Sequence, residues 1–187
     1  MEFAFNSMEQ SPIENRLEED HRSLDTLIAQ LCDALEEYDV EGSFARLDFV
    51  WARLAVHIRA EHLCLFPALL DAARRLSSSA QGVPRFDEVQ GAINQLRHDH
   101  DFFMTELALG VNIMRRTMSS LNSDVVRECL RDVRAIVSTV KARLEEHNKL
   151  EEEQVYRWPA VLFDLSRQAQ VAECARHEIE NMPPRFA

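Results

Sequence analysis

Turn-forming residues are scarce in this chain, with 4 Gly and 6 Pro in 187 positions. That scarcity suits long helices joined by few turns. No stretch approaches the length of a membrane span. The start, Met1-Glu2-Phe3-Ala4-Phe5, lacks the basic region and apolar run of a signal peptide. The expectation is therefore a cytoplasmic protein with no membrane partner. Positive charge is also in deficit: 21 Lys and Arg against 32 Asp and Glu give a formal net charge of -11. Such a balance argues against nucleic acid or an anionic membrane surface as partner. The four cysteines, Cys32, Cys64, Cys129 and Cys174, form no C-x-x-C pair and no zinc-knuckle spacing. Most of them read as small buried apolar residues. There is no solenoid-type repeat, and no recognisable output module such as a kinase segment.

What is present is a globular composition, 46% hydrophobic, of a size that fits one domain. Residues 1–11 read as a tail ending in a cap, Ser11, before Pro12 at the first helical position. Helix one, roughly 12–38, carries the stripe Leu17, His21, Leu24, Ile28, Leu31 and Leu35. Ser43 is expected to cap helix two, about 44–76, within which Pro67 should kink or break the chain. Residues 77–84 form the clearest loop. Helix three, about 87–119, has the stripe Ile93, Leu96, His100, Phe103, Leu107, Val111 and Met114. Leu121-Asn122-Ser123 is a turn, and helix four follows over about 124–157. A fifth segment, about 160–180, precedes a non-helical tail. The expected fold is all-α: an up-down four-helix bundle over 12–158, with an additional C-terminal helix and tail over 159–187.

Two motifs carry chemistry. His57-Ile58-Arg59-Ala60-Glu61 and His147-Asn148-Lys149-Leu150-Glu151 both read His-x-x-x-Glu, which sets each pair one turn apart on one helix face. The face is the apolar one. It runs Val50, Leu54, His57, Glu61, Cys64, Ala68 in the first case, and Val137, Val140, Leu144, His147, Glu151, Val155 in the second. A carboxylate in a core stripe is costly unless it is paired or bound to a metal. His21 and His100 occupy equivalent stripe positions on the other two helices. His98 falls on a polar face, His62 at a helix interface, and His177 near the tail. Four His and two Glu thus point inward: His21, His57, Glu61, His100, His147 and Glu151. Neutral imidazole with carboxylate suits iron, manganese or zinc, with iron the natural choice for oxygen chemistry. A metal-free network of the same residues has to neutralise two core carboxylates and is harder to justify.

These residues resemble the hemerythrin-like, or HHE cation-binding, family. The likeness rests on Glu19-Asp20-His21-Arg22-Ser23-Leu24, on His57-x-x-x-Glu61 with Leu65-Phe66-Pro67, on Asp99-His100, and on His147-x-x-x-Glu151-Glu152, over roughly residues 12–158. The resemblance implies a hemerythrin-like bundle holding two non-heme iron ions, with an oxo or hydroxo bridge and Glu61 and Glu151 as bridging carboxylates. Oxygen carriers of the family have a fifth His one turn from the position of His100. Here those positions hold Leu96 and Met104, which leaves the place to a water or to a nearby acid such as Glu18.

The function expected is binding of a diatomic ligand, oxygen or nitric oxide, in sensing or stress response. A sensor of this kind needs a separate protein partner for its output. Leu24, Leu54, Phe103 and Leu144 are the stripe neighbours expected to line the ligand cavity. The alternatives are a di-iron peroxidase or oxidase, an iron donor for iron-sulfur cluster repair, and a metal-free helical interaction module.

Overall fold

The computed structural model describes residues 11–76, 82–120 and 122–186. The expected tail over 1–10, and parts of the two expected turns (77–81 and Leu121), lie outside the described residues. Every regular element among the described residues is helical.

Helix α1 spans Pro12–Glu36. It opens with a reciprocal cap: Ser11 Oγ accepts from the Glu14 amide at 3.2 Å, and the Ser11 amide donates to Glu14 Oε2 at 3.1 Å. Tyr38, at φ 58°, turns the chain out of α1 through the left-handed region. Helix α2 spans Val40–Ala60 and starts earlier than expected. Its cap is Asp39, whose Oδ1 accepts from the Gly42 amide at 2.9 Å. A Cβ at Gly42 would crowd the Asp39 carboxylate in its capping position. Ser43, expected as the cap, is buried inside the helix.

The expected second helix is interrupted, but not at Pro67. A π-turn over Glu61–Leu65 joins α2 to α3, Phe66–Arg75. The Phe66 amide reaches back to the Glu61 carbonyl. Pro67 then falls in the first turn of α3, where a missing N–H is harmless. Helix α4 spans Phe86–Thr117, and α5 spans Ser123–Glu153 behind an Asn122 cap. Helix α5 ends four residues before the expected boundary. At Gln154 (φ -130°, ψ -64°) the backbone leaves helical geometry, and a 3-10 turn follows over Val155–Arg157. The expected fifth segment is two helices, α6 (Trp158–Leu162) and α7 (Leu165–Glu180), the latter capped by Asp164. The tail holds a further 3-10 turn, Pro184–Phe186.

Helix α1 packs against α2 and α5, α4 packs against the same two, and α7 lies across α1 and α2. The apolar stripes fill two clusters. One gathers Ile13, Leu65, Phe66, Leu69, Ile93 and Leu96 with residues of α6 and α7. The other gathers Leu31, Leu47, Leu107, Val111, Met114 and Val133. The polar stripe residues of the four long helices lie at the level between them. Two cysteines depart from the apolar reading: Cys64 and Cys174, 110 positions apart, form a disulfide that ties the π-turn to α7. Cys32 and Cys129 are free and partly buried. No described helix is long and apolar enough to cross a membrane.

Candidate metal centre

The six inward residues expected from the stripes meet at one place. His21, His57, His100 and His147 are buried, and Glu61 and Glu151 are 0% exposed. The histidines form two pairs joined through Nε2: His21 to His57 at 3.2 Å, and His100 to His147 at 3.1 Å. Glu151 spans the pairs. Its Oε2 lies 3.2 Å from His21 Nε2 and its Oε1 3.1 Å from His147 Nε2. Glu61 does likewise with one oxygen, Oε2, which is 3.2 Å from His100 Nε2 and 3.7 Å from His57 Nε2. His21, His57 and Glu151 form one group able to hold a metal ion, and His100, His147 and Glu151 form a second.

The outer nitrogens are held as well. His57 Nδ1 is 3.0 Å from Asp20, His21 Nδ1 is 2.8 Å from Glu152, and His147 Nδ1 is 3.4 Å from Asp99. Arg53 and Arg143 anchor Asp20 and Asp99 in turn. His100 differs: its Nδ1 meets His62 Nε2 at 2.9 Å. A carboxylate on Nδ1 fixes the tautomer that presents the Nε2 lone pair inward, which is how protein histidines are usually prepared for metal.

Charge follows this geometry. Burial depresses the His21 imidazolium, but its contacts with Glu151 and Glu152 outweigh that and lift it to about 10. Burial likewise opposes the charged form of His147, and Glu151 and Glu61 overcome it and raise its pKa. Burial pushes the Glu151 carboxyl up, yet His147 and His21 draw it well below the usual carboxylate range. Asp20 and Asp99 are lowered against the cost of burial, chiefly by His57 and by Arg143 respectively. Two buried carboxylate oxygens, Glu61 Oε2 and Glu151 Oε1, have no hydrogen-bond partner although imidazole nitrogens stand close by. A buried anionic oxygen without a donor is expensive. The donor set therefore fits a bound cation better than a closed hydrogen-bond network.

Beside the centre lies a cavity of about 10 Å³, roughly the space one water-sized molecule needs. Leu24, Leu54 and Leu144 line it, as the stripes suggested, together with Ile28, His21, His57 and His147. Its other lining residues, Asp25 and Asn148, reach solvent. Phe103 is not part of this lining; its ring stands edge-on to His147, with centroids 5.1 Å apart.

One neighbour was missed from sequence. Tyr156, 0% exposed, donates to Glu61 Oε1 at 2.7 Å and lies 3.0 Å from Glu151 Oε2 and 3.1 Å from His21 Nε2. Burial and the two carboxylates raise its phenol well above the ordinary value. An α-helix continued through residue 157 turns position 156 well off the Glu151 face; the 3-10 turn brings it back. Glu18, considered for the missing ligand place, pairs with Arg22 at 3.9 Å. The oxygen that stands among the donors is that of Tyr156.

No curated protein and no solved structure matches the chain. The family model of the hemerythrin HHE cation-binding domain does, over residues 13–159. That span includes all six inward donors and Tyr156, and on it the chain belongs to the hemerythrin HHE cation-binding domain family.

Proposed function

We propose that this protein holds two non-heme iron ions and binds a diatomic ligand, oxygen or nitric oxide, beside them. The observation that carries this reading is a pair of buried His-His-Glu groups sharing Glu151, set beside two buried carboxylate oxygens, Glu61 Oε2 and Glu151 Oε1, that lack a hydrogen-bond donor. His21 and His57 would hold one ion and His100 and His147 the other, with Glu61 and Glu151 reaching both histidine pairs. The order in which the long helices pack supports an up-down four-helix bundle over 12–158 as the binding unit, with 159–187 covering one side.

Iron supplies the affinity for a diatomic molecule and the electron that can reach it. The chain supplies the rest: Asp20, Asp99 and Glu152 orient the imidazoles, and Leu24, Ile28, Leu54 and Leu144 give the small cavity an apolar wall beside the donors. Cavity size favours a diatomic ligand over an organic substrate, which an oxidase of larger molecules must seat next to the metal.

Metal content tests the reading directly. The purified protein, loaded anaerobically with ferrous iron, is expected to carry about two iron ions per chain. Glu151→Ala removes the residue common to both groups and should lose both ions. Stoichiometric iron in Glu151→Ala, or none in the unaltered protein, contradicts the proposal.

A further inference from the structure

Tyr156 has one hydroxyl proton and two carboxylate oxygens within hydrogen-bond reach of it. It lies within 3.1 Å of two carboxylate oxygens and one imidazole nitrogen. Its proton satisfies Glu61 Oε1; the contact with Glu151 Oε2 then sets a phenol oxygen against an anionic oxygen at 3.0 Å. The separations have a second meaning. Neighbouring ligand atoms around a small six-coordinate ion, with bonds of about 2.1 Å, sit roughly 3 Å from one another. The distances His21 Nε2 to His57 Nε2 (3.2 Å), His21 Nε2 to Glu151 Oε2 (3.2 Å) and His21 Nε2 to Tyr156 Oη (3.1 Å) all have that length. The chain also bends to place this oxygen. Helix α5 stops at Glu153, and the turn Val155–Arg157 carries Tyr156 inward, where Trp158 and Pro159 begin a new helix.

We infer that Tyr156 is a ligand of the ion held by His21 and His57, supplying a phenolate oxygen. The inference rests on the two-iron reading above. On ligation the phenol O–H bond breaks, the oxygen–iron bond forms and the proton leaves to solvent, with no change of oxidation state. The ring contact supports the assignment to this side, since the Tyr156 and His21 centroids are 5.5 Å apart. The two ions are then unlike: one carries a phenolate, and the ion at His100 and His147 carries none.

Phenolate bound to ferric iron gives an intense visible charge-transfer band, and resonance Raman excitation within it brings up tyrosine ring modes. The oxidised, iron-loaded protein should show both. Tyr156→Phe should keep close to its full iron complement and lose the band. The chain has 2 tyrosines, and the other, Tyr38, is 57% exposed, so Tyr38→Phe should leave the spectrum unchanged. Should Tyr156→Phe fail to fold, Tyr38→Phe grown with ring-deuterated tyrosine carries the label at residue 156 alone. A shift of the ring modes then assigns the ligand. Iron-loaded protein without tyrosine modes, or a band that survives in Tyr156→Phe, overturns this inference and leaves the two-iron reading intact. A chain that takes up no iron overturns both.

Discussion

Three of the four inward histidines lean on a carboxylate: His57 on Asp20, His147 on Asp99 and His21 on Glu152. Asp20 is gripped by Arg53 as well as by His57 and is almost fully buried. Such a carboxylate raises the basicity of the imidazole and fixes which nitrogen faces inward. Asp20→Asn preserves shape and removes the charge. Its expected effect is a loss of iron affinity of about 10- to 100-fold, the usual consequence of altering a residue behind a metal ligand. Competition with a chromogenic ferrous chelator measures it. Equal affinity in Asp20→Asn and the unaltered protein would show that His57 needs no such partner. His100 leans instead on His62, whose own pKa is lowered by burial and by His100.

At the scale of elements, the site depends on two departures from α-helical geometry, the π-turn at Glu61–Leu65 and the 3-10 turn at Val155–Arg157. The first is stapled to α7 by the Cys64–Cys174 disulfide. A bridge across 110 positions constrains the unfolded chain strongly. Cys174→Ser should therefore destabilise the protein by about 2–5 kcal/mol, read as a lower denaturant midpoint. Iron content should persist, because neither sulfur is among the donors. An unchanged midpoint would mean that the bridge contributes nothing. These elements also mark the limit of what the sequence discloses. His21, His57, His100, His147 and the two glutamates were legible because each lies on a face with strict helical period. Tyr156 was not, since its inward position exists only where that period fails. The π-turn was visible merely as a suspicion attached to Pro67, and the disulfide depends on a contact between distant segments that local pattern does not encode. The cap of α2 is Asp39 and not Ser43, because the Asp39 carboxylate reaches the Gly42 amide one turn earlier.

Across the whole molecule, a layer of charge is sandwiched between two apolar clusters, and its cost must be met either by protons or by metal. Without iron, protons do it. His21 keeps its proton up to about pH 10, whereas in an unfolded chain it gives it up near 6.5. Between those values the folded chain binds more protons than the unfolded one, so stability falls as pH rises. The contribution is complete below the unfolded value and gone above the folded one. Glu151, lowered by His147 and His21, contributes on the acid side, where stability is lost as pH drops below the ordinary carboxylate value. Both shifts express one attraction between His21 and Glu151, which counts once. Iron competes with the protons of His21 and His147, so loading must release protons, and apparent affinity must rise with pH. Bound iron stabilises the fold by mass action. At fixed free ferrous iron, the gap in Tm between loaded and iron-free protein should widen steadily from about pH 6.5 to about pH 8.5. The iron-free curve should decline over the same interval. Anaerobic thermal melts across that range decide the matter. A gap that stays constant or narrows would mean that iron does not displace the His21 proton, and that the ion sits somewhere other than between His21, His57 and Glu151.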